Sequence, residues 1–103
     1  MTMTGKERAE LRSECNQLKP TVHIGQEGIS GSLLAALDDA LRTRELVKVQ
    51  LNKSVEVSAK SAANDLAKRV KAEVIQVIGR TTTLYRHNPE LKRKKGAAPP
   101  WRA

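Results

Sequence analysis

A chain of 103 residues carries one modest core and leaves no room for a catalytic cleft buried between two lobes. It holds 19 Lys and Arg against 11 Asp and Glu, a net charge of +8, and one cysteine, Cys15, which excludes an internal disulfide and a cysteine-built metal cage. No run approaches the ~20 apolar residues of a membrane span, and residues 1–12 lack the apolar stretch of a signal peptide, so a cytoplasmic protein with no membrane partner is expected.

Thr4 and Glu7 have the spacing of a capping box, and Leu11, Cys15 and Leu18 recur at helical intervals, which predicts a helix over 4–18. Pro20 disfavours helical geometry at Lys19 and releases the chain into a strand over 21–24, with Val22 and Ile24 on one side and Thr21 and His23 on the other. The turn Gly25-Gln26-Glu27-Gly28 follows. Two glycines remove the Cβ atoms that hold a ligand away and permit positive φ, while the next helix directs unpaired N–H groups at an anion. In that helix Leu33, Leu34, Leu37, Ala40 and Leu41 gather on one stripe, with Asp38 and Asp39 elsewhere.

Residues 46–51 alternate with period two, placing Val47, Val49 and Leu51 on one face of a strand and Lys48 and Gln50 on the other. Ser58 or Ser61 caps a third helix in which Ala59, Ala62, Ala63, Leu66 and Val70 share a face. Strands over 74–78 and 81–86 flank a tight Gly79-Arg80 turn. Residues 89–103, with Lys92, Arg93, Lys94, Lys95 and Arg102 against Glu90, hold +4 of the net charge and are expected to form a disordered basic tail after a single domain over 1–88.

The expected fold is therefore α/β, in the order α-β-α-β-α-β-β, with two right-handed crossovers and a terminal hairpin building a four-stranded mixed sheet with three helices. His23, Lys48, Gln50 and Gln76 do not read as core, so most helical packing is expected on one face.

Positive charge on both body and tail points to a polyanion. On a helical wheel Arg8, Arg12 and Lys19 lie close together beside the Leu11/Cys15/Leu18 stripe, where they are expected to run alongside the glycine turn and touch that polyanion. Lys48, Lys53, Arg80 and Arg86 are further candidates, and the Lys92, Arg93, Lys94, Lys95 cluster reads as an electrostatic tether. No cofactor, metal or small-molecule substrate is indicated. His23 and His87 stand far apart with no ligand spacing, Cys15 reads as a small core residue, and no nucleophile is paired with a base. The glycine spacing fits neither phosphate-loop nor dinucleotide patterns. With Tyr85 and Trp101 the only aromatic rings, base stacking on an aromatic sheet is not available, and recognition is expected to rest on backbone and shape.

Leu18-Lys19-Pro20, the strand with Gly25-x-x-Gly28, Glu45-Leu46-Val47-Lys48-Val49, and Val77-Ile78-Gly79-Arg80-Thr81 before Leu84-Tyr85-Arg86 together resemble the CRM domain, the RNA-binding module named for chloroplast RNA splicing and ribosome maturation, in its stand-alone bacterial YhbY-like form. The resemblance covers residues 4–88. It implies a fold similar to the C-terminal domain of bacterial translation initiation factor 3, preceded by an extra helix, and association with ribosomal RNA in large-subunit precursors; a monomer is expected. A permanent ribosomal component or general RNA chaperone is the alternative, with an RNA-processing enzyme subunit behind it. The family turn usually carries a lysine or arginine between its glycines; here Gln26 and Glu27 stand there, and Glu27 repels phosphate.

Overall fold

The computed structural model describes residues 5–25 and 28–88. Thr4 with its expected capping box, Gln26, Glu27 and the tail over 89–103 lie outside the described residues. The elements are α1 (Gly5–Cys15), β1 (Val22–Ile24), α2 (Gly31–Arg44), β2 (Leu46–Leu51), α3 (Ala59–Val70), β3 (Glu73–Ile78) and β4 (Thr81–Tyr85), the expected order throughout.

Helix α1 stops three residues before the expected Leu18. Gln17 N–H donates to Glu14 O (3.0 Å) and Leu18 N–H to Cys15 O (3.2 Å), i→i+3 bonds that tighten the chain into a turn ahead of Pro20. Helix α2 begins at Ser30, whose extended backbone (φ −104°, ψ 169°) lets Oγ accept from Leu33 N–H at 3.1 Å. Of the two serines considered for α3, Ser58 is the cap, accepting from Ser61 N–H at 3.1 Å.

The four strands form one sheet in the order β1-β2-β4-β3. β1 and β2 are parallel, and β4 lies antiparallel between β2 and β3. The β1-α2-β2 crossover joins neighbours, whereas β2-α3-β3 steps over the place that β4 later fills. One face carries Val22, Ile24, Val47, Val49, Leu51 and Leu84, all buried against Leu37 and Leu41 of α2 and Ala62, Leu66 and Val70 of α3. Burying such side chains is the main term holding the layers together.

The second face is covered at one end only. Leu11 and Cys15 of α1 pack on Leu46 and Ile75, with Leu18 and Tyr85 half-buried around them. A bulge between Val74 and Gln76 inserts Ile75 as an extra residue and brings it into this cluster. Burial pushes the Cys15 thiol above its ordinary value, as it does the Tyr85 phenol, where Glu7 adds to the effect. Beyond α1 a row of His23, Gln50, Thr81 and Ile78 crosses all four strands; His23 and Gln50 are exposed, and Ile78 is 60% exposed.

Candidate nucleic-acid interface

Parallel β1 and β2 end at the same edge of the sheet, and the β3–β4 turn lies there too. Asn52 N–H donates to Ile24 O and Leu51 N–H to Arg80 O, both at 2.8 Å, which ties the glycine turn, the β2–α3 loop and the hairpin turn into one surface. Helices α2 and α3 both start from it, so their unpaired N–H groups and the positive ends of their dipoles face the same way. In open α/β sheets the crevice beyond the carboxyl ends of parallel strands is where ligands are held.

The glycine turn is closed by Gly28 N–H donating to Gly25 O at 3.0 Å. Its two glycines are not equivalent. Gly28 has φ +69°, whereas Gly25 does not adopt positive φ, and a Cβ built at either meets nothing within 4 Å. Gly28→Ala is therefore expected to cost about 1 kcal/mol through backbone strain alone, and Gly25→Ala to leave thermal stability unchanged. If a phosphate backbone lies against the turn, Gly25→Ala still weakens RNA binding, because only a bound chain meets its new methyl group. Melting curves and RNA affinities for the two variants separate the roles.

Beside the turn an open groove of about 630 Å³ runs between β1 and the first turns of α2, with His23, Gly25, Gly28, Ser30, Leu33 and Ala36 among its walls. Across the same end, Arg80 donates to Asn52 O (3.0 Å) and Val55 O (3.3 Å), folding the β2–α3 loop onto the hairpin. Lys53 and Lys60 are exposed in that loop and in the first turn of α3. Lys60 did not figure among the candidates from sequence, although its place two residues after a capping serine was legible.

The remaining expected residues are not gathered here. Arg8 donates to Glu73 Oε2 (2.6 Å) and Val74 O (3.1 Å) on β3, so β2 and β4 separate its partner strand from β1. The expected run of Arg8, Arg12 and Lys19 alongside the glycine turn is therefore not what forms. Leu11 and Cys15 must reach Leu46 and Ile75, and that packing carries the helix across to β3. Arg12 and Lys19 are exposed. Lys48 donates from Nζ to Cys15 O (3.1 Å) and Leu18 O (3.3 Å), a cation at the negative end of α1 that fastens this helix to β2.

Arg86 lies at the opposite end of the sheet, donating to Asp38 Oδ1 (2.7 Å), Asp38 O (3.1 Å) and Val70 O (2.8 Å) and so joining α2 to the end of α3. Beside it Glu45, fully buried, accepts Asn88 N–H at Oε2 (2.6 Å) and faces His87 Nδ1 at 3.3 Å. Gln26, Glu27, Lys92, Arg93, Lys94 and Lys95 lie outside the described residues. Among the described residues no group of three or more His, Cys, Asp or Glu side chains is placed to hold a metal ion, and no helix is long and apolar enough to cross a membrane.

Residues 3–86 match the family model of the CRS1/YhbY (CRM) domain. The chain is 32% identical over 90 residues to the "Probable RNA-binding protein YqeI" of Bacillus subtilis, covering 87% of this chain and 94% of that protein. It is 30% identical over 91 residues to an RNA-binding protein of Haemophilus influenzae, covering 88% and 92% of the two chains. Its fold matches the solution structure of the hypothetical protein SAV1595 from Staphylococcus aureus with a TM-score of 0.74 and 34% identity, over 88% of this chain and 95% of the other. With the family model spanning nearly all of the described fold, the chain belongs to the CRS1/YhbY (CRM) domain family.

Proposed function

We propose that this chain binds RNA through the sheet end that carries the glycine turn, and that its target is ribosomal RNA in precursors of the large subunit. One observation carries the first part: hydrogen bonds join the strand end before the glycine turn, the β2–α3 loop and the Arg80 hairpin at the end of the sheet where α2 and α3 begin. Backbone N–H groups there suit phosphate oxygens, and Lys53 and Lys60 supply charge that Glu27 takes away. The net charge of +8 and relatives named as RNA-binding proteins support the same reading. The ribosomal target follows from the resemblance to the ribosome-maturation module. The protein acts by docking, and no step of bond chemistry is assigned to it.

Sedimentation of tagged protein from growing cells tests the second part. Migration with large-subunit precursors and absence from mature subunits is the expected result; retention on mature ribosomes means a permanent component, and a spread over unrelated RNAs means a general chaperone. The first part is tested by Glu27→Lys, which is expected to tighten binding to structured RNA by about three- to tenfold at fixed salt, as a repulsive charge at the phosphate becomes attractive. An unchanged affinity places the contact away from the turn.

A further inference from the structure

We propose that the groove between β1 and α2 receives unpaired bases of the bound RNA, while the phosphates of the same strand lie on the glycine turn; this rests on the RNA-binding reading above. The groove is continuous with the turn, since Gly25 and Gly28 form part of its wall. Its other described walls are Thr21, Val22, His23, Ser30, Ser32, Leu33 and Ala36, among which there is no Lys, Arg, Asp or Glu. On a chain of net charge +8, a slot whose described walls carry none of these charged side chains is poorly suited to more phosphate. Apolar flanks at Leu33 and Ala36, with hydrogen-bonding groups at Thr21, His23, Ser30 and Ser32, suit a flat ring with a polar edge.

The groove also has a direction. Leu33 and Ala36 belong to α2 on the packed side of the sheet, whereas His23 points to the open face, so the groove wraps around the β1 edge. A strand entering at the glycine turn is led onto the exposed ring of His23, beside Gln50 in the next strand. A duplex cannot follow that path, because its bases are stacked inside and it presents only backbone and groove edges. An added peptide strand is the competing occupant of any sheet edge, but β1 is three residues long and offers too few ladder bonds to hold one.

The test compares a short unstructured oligoribonucleotide with a blunt RNA duplex of the same length, at one fixed salt concentration. Ala36→Leu fills the groove from an exposed helical position where leucine preserves the helix, and Ala35→Leu makes the same change on its exposed neighbour outside the groove. Ala36→Leu and His23→Ala are each expected to weaken the single strand by about tenfold, the size of one lost base contact, and to leave duplex binding nearly unchanged. Ala35→Leu is expected to alter neither. Equal losses on both RNAs, an unaffected single strand, or a wild-type protein that binds only duplex overturns the groove assignment and leaves the RNA-binding reading standing. If the wild-type protein binds neither RNA in a salt-sensitive way, the RNA-binding reading itself falls.

Discussion

Glu45→Ala is expected to destabilise the protein by about 3 kcal/mol, the usual scale for removing one partner from a buried charged network. Glu45 is fully buried, and its Oε2 holds Asn88 N–H and faces His87. Its own N–H donates to Leu41 O and its carbonyl accepts from Arg86 N–H, both at 2.9 Å, so one residue joins the end of α2, the start of β2 and the chain leaving β4. It does so at φ +65°, ψ −44°, a positive-φ conformation outside the left-handed helical region that residues other than glycine seldom adopt. That geometry orders the variants. Glu45→Gly loses the carboxylate but relieves the backbone by about 1 kcal/mol, and so is expected to be less damaging than Glu45→Ala. Urea unfolding followed by circular dichroism gives both values; alanine equal to wild type sinks the idea.

Removal of residues 89–103 is expected to produce the largest change in RNA binding with the least change in fold. Five Lys and Arg leave with that segment, against one Glu. If they contact phosphates, the slope of log affinity against log salt falls by about three to four, and low-salt affinity drops by a hundredfold or more. The buried apolar core lies between Leu11 and Leu84, so the melting temperature is expected to move little. A truncated protein that keeps the full salt slope shows that the tail makes no contact. Asn88, where the described chain ends, is bonded to Glu45 and Arg42 at the end of the sheet opposite the glycine turn.

The parts legible from sequence are those governed by neighbours along the chain. Val47, Lys48, Val49 and Gln50 announce a strand by alternation alone, and Gly79-Arg80 announces a hairpin by its turn chemistry. Partners far apart in sequence are another matter. Lys48 reads as a cation on a wet strand face, yet its ammonium is claimed by carbonyls some thirty residues earlier. Arg86 has the same appearance in sequence and is held by Asp38, 48 residues away. Arg80 stands out in sequence by its place in a turn, but the carbonyls it gathers from the β2–α3 loop leave no periodic trace. The positive φ of Glu45 and the groove beside β1 were missed for a related reason. Each exists only once separate elements are in place.

The strand order carries a consequence for how the chain is made. β4 is the last of the strands to leave the ribosome, and it occupies a central position, with β2 on one side and β3 on the other. Until it emerges, β3 has no strand partner, and α1, synthesised first, lacks the Ile75 and Tyr85 surface on which it docks. The earliest helix must therefore wait for nearly the whole domain before it finds its place. Vectorial folding from the N-terminus is limited to β1, α2 and β2, with the rest closing in one late step. A released chain ending before Thr81 is expected to expose the apolar faces of β2 and α3 to chaperones, and one that includes Arg86 to hide them.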